Sequence, residues 1–443
     1  MIPLRVSELT YALEATACRE AMITGLSVDN RTVEPGDCFV ALKGTRVDAT
    51  RFIPDALERG AAVAIGGPGS PDDERVCVVE EPLAALGVFG RLVRSRYVGP
   101  TVGITGSAGK TTVKEMLRTL VGTGRRAVFP ERSYNNFEGV PRTLALLSED
   151  TELCVIELGT NAPGEIAALS AMAMPTLGVL TSIGPAHLEG LGSIEGVLKE
   201  KLALARALPQ GATLIINADD PWLASADYPG GLDVLRVGLV AADGVLAPPS
   251  EREARTLPVG ARVVSHALGT TVLERNLWIA ICVARRLGLD DDAIAGAVAD
   301  VRPGSLRGEV RMLGEATLVL DCYNANPLSL GEALDDLGRC TGRRAAVIGE
   351  MLELGNATFA AHREMGARLA GVGVDRALFV GASATAFADG FGDAGGDRAV
   401  LDLYADVAAA RGPFAELVRA GGTVLLKGSR GIALERLLEG GHV

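Results

Sequence analysis

Thr101-Val102-Gly103-Ile104-Thr105-Gly106-Ser107-Ala108-Gly109-Lys110-Thr111-Thr112 is the stretch that decides the fold of this 443-residue chain. An apolar strand over 102–105 runs into a glycine-rich turn and then into a helix that begins at Lys110. A strand, loop and helix in that order point backbone N–H groups and a helix N-terminus at an anion. Gly106, Ser107, Ala108, Gly109 and Thr112 are therefore read as a nucleotide-phosphate loop. Lys110 is placed to reach the outer phosphates and Thr111 to hold magnesium. Ile104 stands where the strict G-x-x-x-x-G-K-[ST] pattern has its first glycine.

The rhythm around this stretch extends the reading. Apolar strands at 153–157, 177–182 and 213–217 alternate with helices from Lys110 and Ser193, which is the signature of a parallel sheet wrapped by helices. Upstream, short β-like runs at 37–42, 61–65 and 76–79, with a helix over 52–59, suggest a small mixed domain. Downstream of Arg302-Pro303-Gly304, a hinge signal, a second series has strands at 317–321, 345–349, 376–380 and 423–427. The expected fold class is α/β in three domains. These are a small mixed α/β N-terminal domain (1–98), a central P-loop parallel-sheet ATPase domain (99–302) and a C-terminal Rossmann-like α/β domain (303–443). The stretch 241–260 reads as loop.

Composition narrows the function. The chain is 48% apolar, 22% charged and only 4% aromatic, as befits a soluble α/β protein. A net charge of −12 disfavours nucleic acid as partner, because phosphate backbones select basic faces. No apolar run is long enough to span a membrane and the start lacks a signal-peptide pattern, so a cytoplasmic protein with no membrane partner is expected. Seven scattered cysteines without a Cys-x-x-Cys pair indicate buried free thiols rather than a zinc site or a disulfide framework.

Three further residues attract attention. Glu157 ends the apolar run at 153–156, and strand C-termini in open parallel sheets are where ligands sit, so beside the phosphate loop it is a candidate for magnesium. Taken alone, such a Glu is more often a cap or a solvated residue. His187 follows another strand end, where a lone His is more often structural. Lys201 lies seven residues after Ile194, four after Val197 and three after Leu198, in the middle of an apolar stripe completed by Leu202 and Ala205, while Lys199 points the other way. Burial there would depress the lysine pKa and leave a reactive amine, unless the side chain reaches back to the surface.

Beyond these residues, the chain resembles the Mur ligase family over nearly its whole length. The resemblance is carried by 105–112, by Ser133-Tyr134-Asn135-Asn136 with Gly139-Val140-Pro141, by Glu157-Leu158-Gly159 with Gly164-Glu165-Ile166, by His187-Leu188-Glu189 and by the Lys201 helix. Asp321-Cys322-Tyr323-Asn324-Ala325-Asn326-Pro327, Met351-Leu352-Glu353-Leu354-Gly355 and Lys427-Gly428-Ser429-Arg430 are similar to the branch that adds a dipeptide. Ser27-Val28-Asp29-Asn30-Arg31 and 39–44 resemble the family's UDP-sugar-binding domain.

The resemblance implies a set of roles. Lys110, His187 and Lys201 would be catalytic. Thr111, Glu157, His187 and Lys201 would serve two Mg2+ ions, with Lys201 carrying a carbamate. Asn276, Arg307, Asp321, Asn324 and Asn326 would join the loop in binding ATP. Ser27, Arg31, Asn135 and Asn136 would face the substrate. The implied reaction is ATP-dependent and ADP-forming, and joins D-alanyl-D-alanine to UDP-N-acetylmuramoyl-tripeptide through an acyl phosphate, with a monomer expected and domain closure gating turnover.

The chain departs from the family pattern in places. Glu274-Arg275-Asn276 replaces Gly-His-Asn, Arg307-Gly308 replaces Gly-Arg, Glu350 replaces an Asp, and Asp29-Asn30-Arg31 replaces Asp-Ser-Arg. Two alternatives stay open at this point: a diverged ligase for another carboxylate and amine, and a P-loop ATPase whose output is a conformational change.

Overall fold

The structure, a computed structural model, describes residues 1–16, 18–44, 47–239, 256–259, 262–266 and 268–439. Three parallel or mostly parallel sheets organise the chain, as the alternation of strand and helix signals predicts. The first has four parallel strands in sequence order, Gly25–Ser27, Asp37–Val40, Val63–Gly66 and Val76–Val78. The second has six parallel strands in the spatial order Asp233–Val237, Thr213–Asn217, Leu177–Leu180, Thr101–Thr105, Leu153–Glu157 and Ala127–Val128. The third, also six-stranded, runs Glu309–Leu313, Ala316–Asp321, Gly422–Lys427, Arg344–Gly349, Arg376–Val380 and Leu401–Tyr404, with its first strand antiparallel.

The central sheet is buried on both faces, which is why its strands are continuous apolar runs rather than alternating ones. Val102, Ile104, Val155, Val179 and Ile215 face one core with the helices Lys110–Val121 and Thr271–Arg286. Ile156, Leu180, Leu214 and Ile216 face the other, which continues without a break into Leu4, Ile23, Val63 and Phe89 of the N-terminal region. The N-terminal sheet is thus fixed to the central one by shared packing. The C-terminal sheet keeps its own cores, centred on Ile348, Phe379 and Phe387 on one face and on Val347, Leu378 and Phe414 on the other.

Two expectations change. Within 241–260, Thr256–Val259 form a strand paired with Arg262–Ser265, because four residues with β-forming Thr and Val find an antiparallel partner in a second short β-forming run; residues 241–255 and 260 lie outside the described ones. The Lys201 helix is not continuous. Ile194–Lys201 ends at Leu202, whose ψ of −11° opens the last turn, and Ala203–Ala207 starts a second short helix. Lys201 therefore sits at a bend, with both segments still presenting one buried face. Among the described residues, no helix is long and apolar enough to cross a membrane.

The C-terminal packing makes a direct test available. A Cβ at Gly366, on the helix Thr358–Val372, would lie 1.9 Å from the Phe387 carbonyl oxygen of the facing helix Ala384–Asp393. Gly366→Ala is expected to destabilise this region by about 1–3 kcal/mol, the cost of overpacking a filled contact, measured by urea unfolding. An unchanged midpoint would mean that the two helices can separate freely.

Candidate active site

The phosphate loop leaves the C-terminal end of the strand Thr101–Thr105 and opens the helix Lys110–Val121. Gly109 has a φ of +84°, a left-handed conformation that a side chain would strain. A Cβ at Gly106 would lie 2.0 Å from Thr181 Oγ1, so the loop can pass under the next strand end only with glycine there. The Ser107 N–H donates to the Ser182 carbonyl at 2.8 Å and the Ala108 N–H to Ser182 Oγ at 2.9 Å. These two amides anchor the loop. The donors left for an anion are those at the helix start, where the first four N–H groups have no partner within the helix.

Lys110 folds back over the loop, its Nζ donating to the Gly106 carbonyl at 2.7 Å. Burial, reinforced by the Arg307 guanidinium, pulls its pKa below the ordinary lysine value, and Glu157 opposes the shift. Thr111 Oγ1 donates to Glu157, 2.9 Å from Oε2, and Asn135 Nδ2 donates to Glu157 Oε1 at 2.8 Å. Ser133 Oγ lies 3.4 Å from Thr111 Oγ1 and the same distance from the Tyr323 hydroxyl of the C-terminal domain. A hydroxyl and a carboxylate in contact beneath a phosphate loop are oxygen donors of the kind magnesium takes alongside phosphates and water. These residues fit the ion.

The C-terminal domain covers this floor and encloses a cavity of about 350 Å³ lined from both sides. On the C-terminal side of the cavity lie Asp321, Asn324 and Lys427. Asp321 pairs with Lys427 at 2.7 Å, and Lys427 also donates to the Asn324 carbonyl at 2.9 Å. Burial pushes the Asp321 carboxyl up, against the pull of Lys427. The Arg307 guanidinium stacks on the Tyr323 ring at 3.8 Å. Asn326 lines the cavity but spends its side-chain oxygen capping the helix Pro327–Gly338, accepting from the Ser329 N–H at 2.8 Å. Asn276 lies against the loop, with its Oδ1 3.0 Å from where a Gly109 Cβ would stand.

Two departures read in the sequence acquire a place. Arg275 forms an ion pair with Glu332 of the C-terminal domain. The buried His266 and Glu274 side chains meet at 3.0 Å beside the start of the helix that carries Asn276. A second cross-domain contact joins Thr271 to Asp336, through N–H and Oγ1 at 3.1 and 2.8 Å, and Asp336 is paired within its own domain with Arg339 at 2.7 Å. None of Glu332, Asp336 and Arg339 was singled out beforehand.

His187 sits at the cavity wall with a φ of +53°, and its Nδ1 lies 3.3 Å from Glu353 Oε2. Burial, then the Lys110 and Lys201 charges, hold its pKa below the ordinary value. Lys201 is only 1% exposed and lies behind the cavity rather than on its wall. Burial and the neighbouring Lys110 ammonium depress its pKa strongly, and Glu200 opposes them. The snorkelling alternative is ruled out by that burial. Glu200, not noticed in the sequence, accepts the Gly164 and Ile166 N–H groups, each at 2.7 Å, and so fixes the turn after Glu157.

The expected substrate residues separate. Asn135 lines the cavity, whereas Asn136 caps the helix Gly139–Leu144, its Oδ1 accepting the Gly139 N–H at 2.9 Å. Ser27 is buried and holds the next turn together, donating to the Asp29 carbonyl at 2.8 Å. Arg31 pairs with Asp29 at 2.6 Å and borders a second hollow with Phe39, Phe52 and Arg142.

A phosphate loop facing an acidic, hydroxyl-bearing floor, with a second α/β domain supplying charged groups from above, defines an ATP-using group-transfer enzyme. Family comparisons agree domain by domain. Residues 22–90 match the Mur ligase family catalytic domain, 104–240 the Mur ligase middle domain and 307–430 the Mur ligase glutamate ligase domain. The chain is 31% identical to the UDP-N-acetylmuramoyl-tripeptide--D-alanyl-D-alanine ligase of Escherichia coli, over 99% of this chain and 98% of that protein. It is 29% identical to the Bacillus subtilis protein of the same name, over 95% and 93%. A crystal structure of MurF from Acinetobacter baumannii superposes with a TM-score of 0.87 at 26% identity, covering 98% of both chains. The MurF ligase of Thermotoga maritima in complex with ADP gives 0.81 at 28%, covering 94% and 96%. The chain belongs to the Mur ligase family, and it is an ATP-dependent ligase.

Lys110→Ala is expected to cost at least about a hundredfold in the rate of ADP release, the usual loss when one preorganised charge partner is removed from a buried site. A variant within a fewfold of wild type would remove the loop lysine from catalysis.

Proposed function

We propose that the protein adds D-alanyl-D-alanine to UDP-N-acetylmuramoyl-tripeptide, a step of peptidoglycan precursor synthesis, in the cytoplasm and as a monomer. The observation that carries this reading is the Thr111–Glu157 pair and Lys110 facing Asp321 and Lys427 across one cavity, in a chain that matches ligases of that name end to end. Residues 1–98 would bind the UDP-sugar, 99–302 the ATP, and 303–443 would close on both.

In the first step a substrate carboxylate oxygen bonds to the γ-phosphorus of ATP as the bond to ADP breaks. The amine of the dipeptide, having given up its ammonium proton to water, then forms the C–N bond, phosphate leaves with the electron pair of the acyl C–O bond, and one more nitrogen proton passes to water, so that the amide keeps a single N–H. Bound magnesium would neutralise the negative charge gathered between nucleotide and carboxylate. Lys110 works to the same end. Thr111 and Glu157 are the residues suited to one ion, and His187 with a carbamate on Lys201 to a second.

The carbamate reading rests on the buried, depressed amine of Lys201. A neutral amine bonds to carbon dioxide and releases a proton, which turns a costly buried cation into an oxygen donor for a metal. Asn276 supports adenine recognition, Arg307, Asp321 and Asn324 the rest of ATP, and Asn135 the acceptor. For Ser27, Asn136 and Asn326 the hydrogen bonds described above support an indirect role, holding the turns that carry the pocket.

Incubation with ATP, D-alanyl-D-alanine and UDP-N-acetylmuramoyl-tripeptide ending in lysine or diaminopimelate is expected to give the pentapeptide product by mass spectrometry, together with ADP and phosphate. AMP and pyrophosphate, or ATP hydrolysis that needs neither substrate, would overturn the acyl-phosphate route. Lys201→Ala should be nearly inactive and regain part of its activity with added formate or acetate, small carboxylates able to occupy the vacated space. An intact-mass spectrum of active wild-type protein under carbon dioxide, trapped by alkylation, should carry the carbamate mass on Lys201. Its absence there would refute the modification.

A further inference from the structure

Five carboxylates line the cavity: Glu157, Asp321, Glu332, Asp336 and Glu353. Four are committed. Glu157 accepts from Thr111 and Asn135, Asp321 is paired with Lys427, Glu332 with Arg275, and Asp336 with Thr271 and Arg339. Glu353 faces the imidazole of His187, at 3.3 Å, and its side chain is 69% exposed. Among the described residues it has no ammonium or guanidinium partner, and it brings its carboxylate to the wall of a cavity that also holds Lys110 and Thr111.

The placement of Glu353 is built in. Its φ is +63°, a left-handed conformation that costs a non-glycine residue free energy and persists only where the surroundings impose it. Here the surroundings do so. The Met351 N–H donates to Nε2 of the buried His362 at 3.0 Å, and the Leu352 N–H donates to Ser429 Oγ at 3.0 Å. Leu354 is buried on the other side. The backbone thus fixes where the Glu353 carboxylate lies, at the cavity wall with the His187 imidazole as its neighbour.

Resting on the ligase reading above, we infer that the Glu353 carboxylate binds the ammonium group of the incoming amino substrate and sets its nitrogen toward the acyl phosphate. The amino substrate enters as a cation that Lys110 on the same wall repels, and the nearby Glu157 is already engaged by Thr111 and Asn135. Glu353 supplies the opposite sign from the C-terminal domain. The acid is thus a binding residue for the amine and has no part in activating the carboxylate.

The two half-reactions separate this role from its rivals. Hydroxylamine, uncharged at neutral pH, captures the acyl phosphate as a hydroxamate and needs no anionic anchor. Glu353→Gln is expected to raise the KM for D-alanyl-D-alanine at least about tenfold while hydroxamate formation from UDP-N-acetylmuramoyl-tripeptide, ATP and hydroxylamine stays within about twofold of wild type. Glu353→Asp should recover part of the loss. If the amide and hydroxamate rates fall together, Glu353 acts through His187 and the inference is wrong. It is also wrong if the dipeptide KM does not move. Wild-type protein that yields neither amide nor hydroxamate would instead overturn the substrate reading.

Discussion

Phosphorylating a carboxylate with ATP requires two anionic groups to meet out of water, and the cleft is shaped by that repulsion. In a medium of low polarity the electrostatic cost is large unless positive groups are already in place. The loop glycines let the chain turn closely enough for a helix N-terminus and Lys110 to face the same point. Glu157 at the neighbouring strand end supplies the anionic floor for a cation. The parallel sheet makes both available because its strands all end on the same side.

Buried charge is tolerated in two different ways, and the two lysines deepest in the central domain illustrate them. Lys114 is fully buried, but its amine donates to the Pro130 carbonyl at 3.2 Å and meets Glu115 at 2.8 Å. It is a structural cation that ties the helix Lys110–Val121 to the chain ahead of Ser133. Lys201 is equally buried, yet the largest influences on it are burial itself and another lysine, both of which disfavour its charge. Burial alone therefore does not mark a reactive amine. What distinguishes Lys201 is the sign of its surroundings.

Much of this was legible in the sequence, for physical reasons that differ by element. The strand ends at Thr105 and Glu157 fall where the apolar runs stop, because runs buried on both faces advertise their own limits, and Asp321 likewise ends an apolar run although its strand is buried on alternate residues. Lys201 was found by periodicity even though its helix bends at Leu202, since the buried face continues across the bend. The capping duties of Asn136 and Asn326 were hidden, because an asparagine that faces a ligand and one that caps a helix look alike in a motif. Glu200 was overlooked beside Lys201, as its partners are backbone amides 34 and 36 positions away. The Arg275–Glu332 pair, 57 positions apart, carries no local signal at all.

Those long-range contacts explain how the C-terminal domain can close without locking. Arg275 with Glu332, Thr271 with Asp336, and His187 with Glu353 are spread along the cleft, and each is a polar contact rather than part of a shared apolar core. The N-terminal region, by contrast, shares one continuous core with the central sheet and has no such freedom. Such polar contacts exchange for contacts with water when they break, and the net gain of a hydrogen bond is only about 0.5–1.5 kcal/mol, so several together can favour the closed state without making reopening slow. An enzyme that must bury two anions for one bond and then release a nucleotide, phosphate and an enlarged product needs that balance. Replacing the scattered polar contacts with an apolar seam would strengthen closure and obstruct release. The departure at Arg275 therefore makes physical sense as part of the closing surface: with Glu332 opposite, it supplies a contact that forms when the domains meet and is readily exchanged for water when they part.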